Sequence, residues 1–310
     1  MIVTVTLNPA IDKTIAVDRL VYQGLNRIQS VETDIGGKGI NVSKTIAELG
    51  GKSVATGFLG GHNGQMIDRI LKEQGIFSDF VWVAGETRTN TKVVEADGAL
   101  TELNEPGIFV DDESVQMLKE KLSGYASEDT IFVFAGSIPQ GVTTEIYKEL
   151  IGLVKKKSAY VIIDADGEVF SKALDAKPNV VKPNQMELEA FCDMKKEATV
   201  DELVDGAKEI QQKGIEQVVV SMGRDGAIFL MGRDVSICES IPVPVSSSVG
   251  AGDAMVAALA YGKEQQLQTE EIIRLCMAVS AGSVTTKGTK PPKKELVCEL
   301  LKKVHIEKIK

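Results

Sequence analysis

Gly250-Ala251-Gly252-Asp253 is the run whose residue types and spacing most directly suggest chemistry. Ala254-Met255-Val256-Ala257-Ala258-Leu259-Ala260-Tyr261 follows it, a small, apolar, helix-forming stretch that predicts a buried helix. Glycines ahead of such a helix leave backbone N–H groups free to face an anion, and the helix dipole adds to that attraction. A bulky side chain there would hold a phosphate away. Asp253 then has two readings. It is either a first-turn or capping acid, or a general base placed where a hydroxyl attacks a phosphoryl group. A carboxylate beside a phosphate cradle is electrostatically unfavourable unless the chemistry uses it, and a cap leaves the two glycines unexplained.

A second glycine-rich turn, Gly36-Gly37-Lys38-Gly39-Ile40-Asn41, opens another predicted helix. Three glycines around one lysine let the Lys38 ammonium approach a phosphate or hydroxyl; the plainer reading is a flexible turn. Asp12, after Asn8-Pro9-Ala10-Ile11, can accept hydrogen bonds from sugar hydroxyls or simply end a turn. Arg27 and Arg88 are candidates for bidentate phosphate binding, though a lone arginine is usually a surface residue. In Lys182-Pro183-Asn184-Gln185-Met186-Glu187, Asn184 and Glu187 have the spacing of a capping box, and the same pair suits Mg²⁺ and its waters at nucleotide phosphates. Ser221-Met222-Gly223-Arg224-Asp225-Gly226 reads as a hairpin turn or as a nucleotide-contacting turn. Two nucleotide motifs are absent: a dinucleotide fingerprint would need glycine where Met255 stands, and a P-loop ending at Gly51-Lys52-Ser53 would need glycine at Ile46.

The elements that must position these residues alternate short apolar runs with amphipathic stretches. Ile2–Thr6, Ser53–Phe58, Ile131–Ala135, Tyr160–Asp164, Val180–Lys182 and Val218–Ser221 read as strands, and the last four are β-branched runs typical of buried parallel strands. Helical patterns lie at Lys38–Leu49, Gly64–Gln74, Asp112–Leu122, Thr143–Lys156, Asn184–Cys192 and Val200–Lys213. This order predicts a parallel sheet covered on both faces by helices. Residues 11–35 and 87–105 break the rhythm with strand-like alternation and no helix, and predict either a small accessory sheet or edge hairpins on the main sheet.

The totals exclude several classes. The chain has 310 residues and a formal net charge of −9, which speaks against nucleic acid as a partner. Its four cysteines form no CxxC pair, so a zinc or redox motif is not expected. Two histidines, His62 in a loop and His305 in the lysine-rich tail, leave no basis for a Ser-His-Asp hydrolase. The N-terminus lacks a signal-peptide pattern and no stretch approaches a membrane span, so a cytoplasmic protein is expected.

Taken in order, these motifs resemble the ribokinase-like carbohydrate kinases of the PfkB family. Ser248-Val249-Gly250-Ala251-Gly252-Asp253 is similar to the family's C-terminal signature, Gly36–Asn41 and Gly57-Phe58-Leu59-Gly60-Gly61 to its N-terminal one, and Asn184 with Glu187 to its N-x-x-E motif. Thr4–Asp12, Gly24-Leu25-Asn26-Arg27, Glu86–Lys92 and Gly136-Ser137-Ile138-Pro139 resemble the branch that contains 1-phosphofructokinase and tagatose-6-phosphate kinase. Ser248-Val249 departs from the commoner Asp-Thr, which puts a monovalent-cation role of that turn in doubt. The resemblance implies a three-layer α/β/α core, built from residues 1–10, 36–86 and 106–310, and a small β-sheet lid from 11–35 and 87–105. It implies a homodimer contacting through the lid, and ATP with Mg²⁺ as nucleotide and metal. The implied reaction carries fructose 1-phosphate to the 1,6-bisphosphate, with tagatose 6-phosphate and fructose 6-phosphate as alternatives. Asp253 would be the base, and the amides of Gly250, Ala251 and Gly252 the anion hole. Asp12, Gly37, Lys38, Asn41 and Ser137 would orient the sugar, and Arg27, Arg88 and Lys92 would hold its phosphate. Lys182, Asn184, Ser221, Gly223, Arg224, Gly226 and Gly252 would contact the nucleotide, and Asn184 and Glu187 the metal through water. Two other classes stay open: a non-catalytic sugar-phosphate sensor, which an intact Asp253 argues against, and a dinucleotide dehydrogenase, which the missing glycine argues against.

Overall fold

The strand Ile2–Thr6 is buried along its whole length and sits between two parallel neighbours, Ser53–Leu59 and Ile131–Ala135. Its side chains divide by the two-residue period of a strand. Val3 and Val5 enter one apolar cluster with Phe132, Tyr147, Leu150 and Leu188, while Ile2 enters another with Val42, Ile46, Ala257 and Met277. The sheet is therefore a middle layer with helices on both faces, which is why its strands read as unbroken apolar runs. The computed structural model describes residues 1–309.

From one edge the large sheet runs Glu307–Ile309, Asp234–Cys238, Ala227–Met231, Gln217–Ser221, Val180–Val181, Tyr160–Asp164, Ile131–Ala135, Ile2–Thr6, Ser53–Leu59 and Phe77–Ser78, with Val81–Trp82 also pairing Ser53–Leu59. Pairing is parallel from Gln217–Ser221 to Phe77–Ser78 and antiparallel beyond it. The parallel strands thus present their carboxyl ends, after Thr6, Ala135, Asp164, Val181 and Ser221, along a single edge. Open α/β sheets bind ligands there.

A separate four-stranded sheet, ordered Ser30–Gly36, Ala10–Val17, Arg88–Glu95 and Leu100–Asn104, resolves the choice left by the alternating segments. These strands pair with one another and are not edge hairpins on the large sheet. A third apolar cluster, including Ile11, Ile35, Ile40, Leu59 and Ile67, joins the base of the small sheet to the helices Lys38–Glu48 and Gly61–Glu73.

The second helix begins at Gly61, three residues before its apolar pattern, and carries His62 rather than leaving it in a loop. The cause is distant in sequence: the Glu86 carboxylate accepts from the backbone N–H groups of His62 and Asn63. The helices Gly167–Leu174, Thr269–Ser283 and Lys294–Leu301 and the antiparallel strand Asp234–Cys238 lie outside the elements expected from pattern. Thr269–Ser283 is read poorly because it packs most of its circumference, from Ile273 to Val279, against the equally apolar helix Ala251–Glu264.

Candidate active site

The helix Ala251–Glu264 starts at Gly250, whose φ of 86° is a left-handed conformation that glycine adopts without strain. Because the N-cap has no side chain, no hydroxyl or carboxylate occupies the first-turn amides, and they remain available to an anion. Asp253 is the third residue of the helix. It does not cap. Its carboxylate is buried and accepts a 2.8 Å hydrogen bond from Asn41 Nδ2. Burial, and then the negative charge of Asp164, push its pKa up from 3.8 to about 6, against the opposing pull of Lys38, Asn41 and Lys182. A buried acid poised near neutrality beside an anion cradle is what a general base requires.

Asp164 is the member of this buried group that sequence reasoning missed. It ends the strand Tyr160–Asp164, is 2% exposed, and lies 2.9 Å from Lys38 Nζ and 3.5 Å from Lys182 Nζ. Burial alone would raise its pKa, but Lys182 and Lys38 hold it below the usual carboxylate range. Burial would likewise lower Lys38, yet Asp164, with Asp253 and Glu187, keeps its ammonium well above the ordinary lysine value. Asp164 thus ties Lys38 and Lys182 together at one point. Lys182 reaches Gly252, where an added Cβ would stand 3.2 Å from Nζ. The group therefore sets the buried Asp253 carboxylate beside Lys38, Lys182 and a helix N-terminus, a constellation suited to a transferring phosphoryl group.

Around this centre the structure collects most of the expected residues. Gly37, with φ 113°, opens the helix that carries Lys38 and Asn41. Arg88 donates from Nη1 to the Glu105 carbonyl (3.0 Å) and from Nη2 to the Asn8 carbonyl (3.0 Å) and Ser137 Oγ (3.4 Å). Its Nε is buried without an acceptor, and burial lowers its pKa. Asp12 lies 3.8 Å from Lys92 Nζ. Asn184 and Glu187 form the reciprocal capping box, with bonds of 2.9 and 2.8 Å, and Asn184 bridges Ser221 across the parallel strands. The short 3₁₀ turn Gly223–Asp225, carrying Arg224, and Gly226 after it therefore lie beside the Asn184 helix start. Arg27 is not brought in. It is exposed in the connection beyond the Ala16–Ser30 pair, about 20 Å along the strand from the Ala10–Gly36 base.

The donor set bears on a metal. Among the described residues no group of three or more His, Cys, Asp or Glu could hold one. A hard cation carried by phosphates needs only one or two protein carboxylates and keeps its waters. Glu187 fits that use: the capping box engages Oε2, and burial raises the carboxyl pKa, which a neighbouring cation would offset.

The sequence profile of the pfkB family carbohydrate kinases matches residues 5–296. The 1-phosphofructokinase of Bacillus subtilis is 36% identical over 310 residues, covering all of both chains. That of Vibrio cholerae is 35% identical over 287 residues, covering 93% of this chain and 90% of its own. The structure of Escherichia coli phosphofructokinase-2 in complex with substrates and products superposes with a TM-score of 0.92 at 30% identity, over 97% of this chain and 98% of that one. With the profile matching nearly its whole length and relatives of 35–36% identity over it, and with a buried carboxylate, two lysines and an open helix N-terminus at the carboxyl edge of such a sheet, this chain belongs to the pfkB family of carbohydrate kinases and is a sugar-phosphate kinase.

Proposed function

We propose that the protein transfers the γ-phosphoryl group of ATP to the free primary hydroxyl of fructose 1-phosphate, giving fructose 1,6-bisphosphate and ADP. The observation that carries the chemistry is the buried Asp253 carboxylate at the open N-terminus of its helix. The full-length likeness to two 1-phosphofructokinases supports the substrate.

Asp253 accepts the hydroxyl proton as the sugar oxygen attacks the γ-phosphorus in line, and the bond to the ADP oxygen breaks. The Gly250–Gly252 amides, Lys38 and Lys182 receive the charge on the phosphoryl oxygens and the leaving group. Asn41 holds Asp253 in place. Arg88, Lys92 and Ser137 bind the phosphate already on the sugar, while Asp12 takes its hydroxyls. Mg²⁺, held through water by Asn184 and Glu187, would supply charge neutralisation at the ATP phosphates. The small sheet covers the sugar as a lid.

The likeness to a phosphofructokinase-2 solved with fructose 6-phosphate, at 29% identity, favours that sugar as the second reading. A coupled ADP-release assay across fructose 1-phosphate, fructose 6-phosphate and tagatose 6-phosphate decides: kcat/KM is expected to be highest for the first. A clear preference for either other sugar removes the substrate assignment. Equal activity on unphosphorylated sugars removes the phosphate-binding roles as well.

A homodimer formed through the small sheet is part of the same proposal. Tyr22 and Leu25 are 88% and 80% exposed in its 18–29 connection, and Escherichia coli phosphofructokinase-2 has been solved as a tetramer. Light scattering is expected to give twice the chain mass; a monomer mass would end that part.

A further inference from the structure

The strands of the small sheet set their side chains in transverse rows. Nearest the large sheet, Gly36, Ala10 and Arg88 share a row, and Asp34, Asp12 and Asn90 form the next. Farther out, Ala16, Val94 and Leu100 form an apolar stretch of a row that ends at Ser30. Residues two apart on a strand share a face, so these rows look the same way, over a cleft of about 720 Å³ whose opposite wall is Val245–Val249 and Lys287–Lys290. The face is polar next to the catalytic group and apolar at its tip.

In the second row two carboxylates stand directly opposite each other, Asp12 and Asp34. Like charges in that position are destabilising. Cations brought from elsewhere compensate. Lys44, buried on the helix Lys38–Glu48, donates to both Asp34 oxygens (3.3 and 3.2 Å) and to the Ile35 carbonyl (3.2 Å). Those contacts account for the ammonium's three donors. Burial lowers the Lys44 pKa and the Asp34 charge opposes that fall. Lys44 lies three residues after Asn41, so one helix fixes both the Asp253 base and Asp34.

Two amide oxygens close to these carboxylates are left without donors. Asn90 spends its amide on Asp12 (3.4 Å) and leaves Oδ1 buried with no donor. Asn41, 6% exposed, spends its amide on Asp253 and also leaves a buried Oδ1 unpaired. Buried acceptors without donors are costly. A ligand that presents several O–H groups would satisfy them.

We propose that Asp34 is a second substrate-hydroxyl acceptor beside Asp12, and that the pair reads two neighbouring ring hydroxyls of the ketose phosphate. This inference rests on the sugar-phosphate reading above. Opposed cross-strand positions are about 5 Å apart, near enough for two carboxylates to take hydroxyls on adjacent carbons. Lys44 acts on the sugar only through Asp34 and is a positioning residue. The pair gives the site a way to sense hydroxyl configuration, which is where fructose and tagatose differ.

The test measures kcat/KM for fructose 1-phosphate and its 3-deoxy and 4-deoxy analogues. Wild type is expected to disfavour each analogue by at least about 100-fold, because each forfeits a hydrogen bond to one carboxylate of the pair. In D34N, discrimination against one analogue is expected to collapse to within about threefold while the other persists; D12N is expected to show the reverse. Each ratio is taken within one preparation, so partial unfolding cancels. D34N/K44M removes the buried ammonium together with its partner and gives the same readout where D34N alone folds poorly. A single common loss on all three sugars, in both Asp34 variants, would reduce Asp34 to a brace of the sheet and overturn the proposal. Should wild type use tagatose 6-phosphate and not fructose 1-phosphate, the substrate reading falls. The same ratios on that sugar and its deoxy analogues then decide the role of Asp34.

Discussion

Asp253→Asn is expected to cut kcat by about 10³–10⁴-fold while leaving the Kd of the sugar phosphate within about threefold of wild type. Asn keeps the shape, and its side-chain oxygen still accepts from Asn41 Nδ2, so the pocket is preserved. What is lost is the proton acceptor. The wild-type profile should report the same group: with a pKa of about 6, kcat/KM falls tenfold per pH unit on the acid side of that value. The substitution has a second, opposite consequence. Asp253 has a folded pKa above its ordinary 3.8, so between about pH 4 and 6 the folded state binds more protons than the unfolded state. Stability therefore falls as pH rises through that window, and above pH 6 the fold carries the whole cost, about 3 kcal/mol. Asn removes it. The variant should be inactive and should melt several degrees higher than wild type at pH 7.5, with the difference vanishing below pH 4. An inactive variant of unchanged or lower Tm would contradict the electrostatic account of the buried base, and unchanged turnover would contradict its role.

That dual expectation follows from features of different legibility. Gly250–Asp253 and the Asn184–Glu187 box could be read from sequence because both obey local rules: glycine before an apolar helix, and an acid three residues after an N-cap. The parallel strands were visible because burial on both faces leaves continuous apolar runs, as in Ile131–Ala135. Asp164 carries no such local mark. It looks like any acid that ends a strand, and its meaning lies in Lys38, 126 residues away, and in Lys182. The start of the helix Gly61–Glu73 was hidden for the same reason, since its amides are capped by Glu86. The alternation in residues 11–35 and 87–105 was readable, but separation into its own sheet depends on the parallel pairing of Ala10–Val17 with Arg88–Glu95, across some seventy residues of intervening chain. Arg27 shows another limit: its place depends on strand register, which sets it beyond the Ala16–Ser30 pair, at the far end of the small sheet from the Asp253 group of its own chain.

The position of Asp164 sets the second expectation. Asp164→Asn leaves the buried Lys182 and the one-third-exposed Lys38 without their shared counter-ion; removal of one member of a fully buried pair costs about 3–5 kcal/mol, and the exposure of Lys38 puts the expected loss at the lower end of that range. The sign with pH follows from the two partners. The depressed Asp164 contributes stability above its unfolded pKa, lost only as pH falls through the lower folded value; the raised Lys38 contributes stability below its unfolded pKa of 10.5, lost only at strongly alkaline pH. At neutral pH both contributions are present, so the loss in D164N should appear in full in a denaturant melt at pH 7. Activity should fall by about 10²-fold or more, because the cations that receive the phosphoryl charge are no longer fixed. The distinguishing measurement is the acid limb of kcat/KM. The Asp164 charge is the largest contribution after burial to the raised Asp253 pKa. Its neutralisation leaves Lys38 and Lys182 to act on Asp253 unopposed, so the limb should move to lower pH. A merely structural Asp164 would reduce activity at every pH and leave the limb where it was. A limb displaced to lower pH, in a variant that is both less stable and slower, would show that one buried carboxylate both holds the two cations and tunes the base.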